Sequence, residues 1–204
     1  MKPTRADNDK IRHLLESDHV QQAMEFIAIL QLTQLNLKSL YLPQGSLRGA
    51  RLTQARLQDA HLVDADLTGA DLSGANLTGA DLSAARLSGA NLSGACLFGA
   101  TLRWADLSDA CLENCNLRRA DLSVCQLDGA NLQRADLCDS TLQRATLSGA
   151  DLRHASLHNA MLTGAIYTAS SAGNSDTNNA MTQWPDNFEA SHCHHGLIQR
   201  PLSV

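Results

Sequence analysis

Aromatic residues are scarce in this 204-residue chain, in which Phe, Trp and Tyr together make up 3% of the positions. A conventional two-layer core of this size uses more rings. The hydrophobic fraction is nevertheless 44%, so the core must be built from small and aliphatic side chains. No run of about 18 apolar residues is present, which excludes a membrane-spanning helix. The formal net charge of -5 argues against direct binding of nucleic acid.

The first residues, Met1-Lys2-Pro3-Thr4-Arg5, lack the apolar segment of a signal peptide. We therefore expect a cytoplasmic protein. In that compartment its 6 cysteines would be reduced.

Leucine occupies every fifth position from Leu32 to Leu162. From Leu47 onward a small residue stands two positions before each leucine, and from Ala50 to Ala165 this residue differs from alanine only at Cys115, Cys125 and Ser140. Asp or Asn often precedes the leucine, and Gly often follows it by two positions. Such internal periodicity is the mark of a repeat protein.

A period of five does not fit the ordinary elements. On an α-helix the leucines would spiral around all sides, and on a flat strand they would alternate between the two faces. A coil in which each five-residue unit forms one side brings all the leucines to the axis. Gly, Asn, Asp and Ser after the leucine suit the turn between two sides.

Units such as Ala65-Asp66-Leu67-Thr68-Gly69 resemble the A[DN]LxG unit of pentapeptide-repeat proteins. The resemblance covers residues 30–167, about two thirds of the chain. It implies an all-β solenoid, a right-handed quadrilateral β-helix of about seven coils. The domains expected from it are a helical cap (residues 1–29), the β-helix (30–167), and a linker with a C-terminal tail (168–204).

The predicted cap consists of two short helices. Apolar residues with helical spacing form one patch at Ile11, Leu14 and Leu15 and a second patch at Val20, Met24 and Ile27. Asp7 or Asn8 is expected to cap the first helix, and Ser17 or Asp18 the second. Helices with one apolar face suit a lid on the first coil. A partner-binding helix is the alternative interpretation.

The tail begins with a Ser/Asn/Thr/Gly-rich linker. In one interpretation Trp184 and Phe188 fold back to cover the last coil, after Tyr167 has taken a leucine position. Residues 199–204 are expected to fray. The segment His192–His195 contains four potential metal ligands without the spacing of a zinc site, and it is interpreted as a mobile polar tail or a weak adventitious metal site.

No nucleophile, metal centre or cofactor site is apparent elsewhere, so we expect a protein that is not an enzyme. Neighbouring coils would stack residues twenty apart, and no two of the cysteines between Cys96 and Cys138 have that spacing. Cys115 and Cys125 replace inward alanines and are expected to be buried small hydrophobes.

Large outward side chains concentrate between residues 98 and 158. Arg, Trp and Phe on a rigid platform are typical of an interaction hot spot, and a solvated face is the alternative. The predicted function is a non-enzymatic scaffold that binds an unidentified protein partner, but neither nucleic acid nor membrane, as a monomer or an end-to-end dimer. The predicted partner-binding residues are Phe98, Arg103, Trp104, Arg118, Arg119, Arg134, Arg144 and Arg153.

The quinolone-resistance branch of the family implies a second function, a DNA mimic that binds DNA gyrase. Residues 45–167 contain 13 acidic residues and 10 arginines. Duplex DNA carries one negative charge per about 1.7 Å. The small acidic excess therefore favours the scaffold over the mimic.

Overall fold

The computed structural model describes residues 2–17, 19, 21–23, 33–168 and 198–200. The named elements are helix α1 (Arg5–Glu16) and strands β1 (Ile166–Thr168) and β2 (Ile198–Arg200). From Asn36 to β1 the chain forms a continuous series of short parallel bridges, each joining residues that are twenty positions apart. The chain therefore coils upon itself once every twenty residues.

The bridges form four ladders along the coil, one on each side. Face A runs from Ser46 to Ile166, face B from Arg51 to Asp151, face C from Asn36 to Ser156 and face D from Tyr41 to Met161. Each five-residue unit contributes one bridge, so four consecutive units complete one turn. A solenoid of parallel coils, predicted from the leucine period, is therefore confirmed.

Each side of a coil ends in a tight turn. In the unit that contains Leu47, the Ala50 amide donates to the leucine carbonyl at 3.0 Å. The residue two positions after the leucine has a positive φ, 65° at Gly69, as the third position of a type II turn requires. The Asp66 carboxylate accepts the amide of Thr68 at 3.0 Å, which explains why Asp or Asn precedes leucine.

Backbone hydrogen bonds join each coil to its neighbours. On face A the Leu47 amide donates to the Asp66 carbonyl at 2.7 Å, the Gly49 amide donates to Thr68 at 2.9 Å, and the Asp66 amide donates to Gly45 at 2.9 Å. The same pattern recurs on the other faces. Because an interior coil has neighbours on both sides, its buried polar backbone groups are satisfied.

The leucines and the small residues before them fill the axis of the coil, and nearly all of them are fully buried. The three departures from alanine are accommodated by hydrogen bonds to carbonyl groups. Cys115 donates to Leu92 at 2.8 Å, Cys125 donates to Ala105 at 3.2 Å, and Ser140 donates to Leu137 at 2.6 Å. The predicted burial of Cys115 and Cys125 is confirmed.

Thr4 caps helix α1, so the prediction that Asp7 or Asn8 does so is wrong. The Thr4 hydroxyl accepts the Asp7 amide at 3.2 Å, and the Asp7 carboxylate accepts the Thr4 amide at 2.8 Å. This reciprocal pair is a capping box, in which the acidic residue belongs to the third helical position. Asn8 is then free to turn its side chain towards the coil.

Helix α1 covers the edge of the first coil with both apolar and polar contacts. Ile11 and Leu15 are fully buried in the same core cluster as the leucines of the coil. The Asn36 amide donates to the Asn8 side-chain oxygen at 2.8 Å, and Arg12 donates to the Lys38 carbonyl at 2.6 Å. The helix thus takes the place of a preceding coil on face C.

The second predicted helix lies mostly outside the described residues, as do Asp18, Val20, Met24 and Ile27. Ala23 is described and is fully buried. None of the helices in the described ranges has the length and hydropathy needed to cross a bilayer.

The end of face A is extended by a strand from the tail. Strand β1 pairs in parallel with β2, with Ile166 opposite Ile198. The prediction that the chain frays from residue 199 is wrong for Gln199 and Arg200, because their backbone continues the ladder. Trp184, Phe188 and the segment His192–His195 lie outside the described residues.

Candidate interaction surface

The structure distributes the predicted partner-binding residues over three faces. They occupy face B (Arg134, Arg153), face C (Phe98, Arg118, Arg119) and face D (Arg103, Trp104, Arg144). Faces C and D are adjacent because their units follow one another in the chain. The structure therefore does not form one patch from all of these residues, but two clusters on adjacent faces and a separate arginine pair.

The cluster on face C is built around the Phe98 ring. The guanidinium carbon of Arg119 lies 5.8 Å from the ring centroid, within cation–π range. Arg118 forms ion pairs with Asp136 at 3.6 Å and with Asp139 at 3.1 Å. These contacts hold both arginines in defined positions.

The cluster on face D is built around Trp104, whose surface is 56% exposed. The guanidinium carbon of Arg103 lies 4.9 Å from the indole centroid. The same arginine pairs with Asp121 on the next coil at 3.4 Å. The indole is therefore held against a cation while much of its surface remains open to solvent.

Face D also carries the other exposed large hydrophobic side chains of the described part, Tyr41 and Met161. Tyr41 lies beside His61, with ring centroids 5.9 Å apart. Sequence reasoning missed both residues because it confined the surface to residues 98–158. Counting in steps of twenty from Tyr41 reaches Thr101, which belongs to the same five-residue unit as Trp104. This count would have placed Tyr41 on the same face as Trp104.

The two arginines on face B form ion pairs with acidic residues of the coils themselves. Arg134 pairs with Glu113 at 3.7 Å, and Arg153 pairs with Asp151 at 2.6 Å. Partial burial raises the pKa of Asp151, but the hydrogen bonds and positive charge of Arg153 outweigh this effect and hold it below its usual value. Exposed pairs of this kind contribute about 0–1 kcal/mol, and they explain these arginines without a binding partner.

The described cysteines are free thiols. Burial raises the pKa of Cys115 to about 12 and raises the pKa of Cys125 as well. Neither thiol forms the thiolate that a nucleophile or a metal ligand requires at neutral pH. Within the ranges that the structure describes, no cluster of three or more His, Cys, Asp or Glu side chains is arranged to hold a metal.

An open cavity of about 470 Å³ lies between α1 and the first coil, and Lys2, Arg12 and Arg56 are among its lining residues. Arg5, also in the lining, pairs with Asp9 at 3.8 Å. Arg12 pairs with Glu16 at 3.4 Å. The lining contains no Ser, Cys or His, so it offers no nucleophile with an adjacent base.

Four-sided coils around a leucine axis define a β-helical repeat protein. The family model for pentapeptide repeats matches the chain in 8 copies, over residues 31–69, 46–83, 65–103, 85–123, 100–137 and 130–166. These segments together span about two thirds of the chain. The chain belongs to the pentapeptide-repeat family.

Several solved structures are similar to this chain. HetL from the cyanobacterium Nostoc sp. strain PCC 7120, involved in heterocyst differentiation regulation, is 31% identical over 66% of this chain and 79% of its own, with a TM-score of 0.25. The pentapeptide-repeat protein alr5209 from Nostoc PCC 7120 is 32% identical over 69% and 84%, with a TM-score of 0.26. QnrB1, a plasmid-mediated fluoroquinolone resistance protein, is 22% identical over 78% and 82%, with a TM-score of 0.39.

A comparison with curated protein sequences gave no match.

Proposed function

We propose that this protein is a non-enzymatic interaction scaffold that binds a protein partner through outward side chains of its rod. We take the rod to be the right-handed quadrilateral β-helix of about seven coils that the family resemblance implies. The proposal places the partner on faces C and D and leaves the face B arginines in their structural ion pairs.

The observation that carries the proposal is the exposure of Trp104. A tryptophan that is 56% exposed contributes little to the core, which is filled by leucine. Trp and Arg are the residues most enriched at interface hot spots. Arg103 against the indole, with Phe98 and Arg119 on the adjacent face, provides that combination on a backbone that is hydrogen-bonded from coil to coil.

The test is capture of the partner by the full chain and by a variant with Arg103, Trp104, Arg118 and Arg119 all changed to Ser. None of these side chains is buried in the axis, so the variant is expected to keep the circular dichroism spectrum of the parent. We expect it to lose a protein that the parent captures from its native cell.

A matched control changes Arg48 and Arg86 to Ser on face A, and we expect this control to retain the partner. Undiminished capture by the fourfold variant would refute the assignment to faces C and D. Equal loss in the control would show that the interaction depends on general charge rather than on this surface.

The alternative, a DNA mimic that binds DNA gyrase, calls for a continuous acidic face. Face A is the most acidic, with Asp66, Asp106, Asp109 and Asp128, but Arg48 and Arg86 interrupt it. Arg48 also forms an ion pair with Asp66 at 3.9 Å. The scaffold is therefore the better-supported proposal, and inhibition of gyrase supercoiling by the purified chain would overturn this preference.

A further inference from the structure

Three large side chains occupy equivalent corners of face D on successive coils. Trp104, Val124 and Arg144 each stand two positions after a leucine, and the bridges Thr101↔Asp121 and Asp121↔Thr141 align their units. Their φ angles are 59°, 60° and 58°. We call these three residues the corner stripe.

The residues of the corner stripe are under backbone strain at these positions. Glycine adopts a positive φ without strain, whereas a side chain meets its own backbone there, and a β-branched residue does so most severely. Val124 is the sole β-branched residue, and Trp104 the sole indole, at positive φ in the described part of the chain. Trp104 remains mostly exposed, so burial in the rod does not compensate for its strain. Local strain of this kind is concentrated at functional sites.

The stripe has a defined chemical order. Trp104 and Val124 are apolar, and the third residue is a cation. Arg103 is matched by Asp121 at 3.4 Å, but no carboxylate within the described residues forms an ion pair with Arg144. Its side chain extends over Gly164, where an added Cβ would lie 3.3 Å from the Arg144 Cγ atom. A partner that matches the stripe therefore presents two apolar groups followed by a carboxylate.

The spacing of the stripe favours a helical partner. Parallel coils stack about 4.8 Å apart, so the three corners span about 9.6 Å. One turn of an α-helix rises about 5.4 Å, and a helix along the rod stays within about 1 Å of register over two coils. An extended strand repeats its face about every 6.8 Å and is out of register by about 4 Å over the same span.

We propose that the corner stripe binds an amphipathic α-helix of a partner protein. The helix lies along the rod with apolar side chains at positions i and i+3 or i+4 and with Asp or Glu at i+7. The carboxylate of the last residue pairs with the Arg144 guanidinium. This inference rests on the proposed scaffold function and specifies the partner surface that the scaffold recognises.

The test is a display selection on the full chain, with one library of helical peptides randomised on one face and one library of extended peptides. We expect enrichment of helical sequences with the two apolar positions and the acid at i+7. We expect the Arg144→Glu variant to enrich Lys or Arg at i+7 instead. In a Trp184→Phe background, binding should shift the emission of Trp104.

The control variant replaces Trp104, Val124 and Arg144 with Gly, the residue that these corners favour. Because glycine removes the strain, we expect an equal or higher melting temperature and binding of the selected peptides weakened by about tenfold or more. A purely structural stripe would instead lower the melting temperature and leave peptide binding unchanged.

Enrichment of extended peptides, no enrichment of helical peptides over the glycine variant, or indifference to charge reversal at Arg144 would overturn the inference. If these results occur while the Ser variant of faces C and D still loses the cellular partner, the scaffold function stands and only the helical partner is rejected. If the Ser variant also keeps that partner, the proposed function fails as well.

Discussion

The Asn8 side chain connects the helical cap to the edge of the first coil. Its oxygen accepts the Asn36 amide at 2.8 Å, and its nitrogen donates to the Thr4 carbonyl at 2.9 Å. Asn8→Ala removes both bonds, whereas Asn8→Asp keeps an acceptor for the Asn36 amide. The pair of variants therefore separates closure of the coil edge from attachment within the helix.

We expect Asn8→Ala to lower the free energy of unfolding by about 1 kcal/mol. A buried amide that loses its partner costs about 1–3 kcal/mol, and the lower end applies here because water can reach the exposed Asn36. Asn8→Asp should recover much of this loss, since its carboxylate also suits the first turn of a helix. Ile11 is fully buried, and its replacement by Ala should cost about 2–5 kcal/mol.

Urea unfolding followed by far-ultraviolet circular dichroism measures these differences. Asp9→Ala is the matched control, since Asp9 is exposed and pairs with Arg5 on the same helix at 3.8 Å. Its loss should stay below about 0.5 kcal/mol. An Asn8→Ala protein as stable as the parent, or an Asn8→Asp protein as unstable as Asn8→Ala, would refute closure of the edge by this side chain.

The corners, the core and the surface carboxylates give further predictions. Gly89→Ala should cost about 1 kcal/mol of stability because the φ angle is positive, although an added Cβ would have open space around it. Gly129→Ala should cost more because its Cβ would also meet the Asp109 carboxylate. Thermal melting compares the two variants. At pH 8 a thiol reagent should modify the half-buried Cys96 and spare Cys125, and mass spectrometry of the native protein would contradict this if Cys125 were labelled. Because the pKa of Asp151 is lowered in the folded protein, its carboxylate stabilises the fold above the unfolded-state pKa of about 4. This stabilisation disappears as the pH falls through the lowered pKa. The urea midpoint of the parent should therefore fall more between pH 5 and pH 3 than that of Asp151→Asn.

Much of the rod could be predicted from the sequence because its determinants are local and repeated. The leucine period requires an axis, and steps of twenty assign a residue such as Trp104 to its face without coordinates. The face D neighbours of Trp104 follow from the same arithmetic. Tyr41 was not among the predicted residues because it lies outside the range 98–158, where the large outward side chains are concentrated.

The ends of the rod could not be predicted in the same way because they depend on single contacts. Thr4 rather than Asp7 caps the helix, because the cap depends on a reciprocal pair of hydrogen bonds between these two residues. The pairing of Ile198 with Ile166 joins segments that are far apart in the chain, and no repeat marks it. Ion pairs such as Arg134 with Glu113 depend on rotamers, which the spacing does not specify.

The twenty-residue register of the ladders has a consequence for how such a chain can change during evolution. Insertion or loss of one five-residue unit would keep every leucine on the axis while turning everything downstream by a quarter of a revolution relative to the helical cap. Trp104 would then point to a different side of the molecule without any change in the interior. A gain or loss of twenty residues would instead change the length of the rod and leave each face in its orientation relative to the helical cap. The length of the rod and the direction of its surface residues can therefore evolve separately.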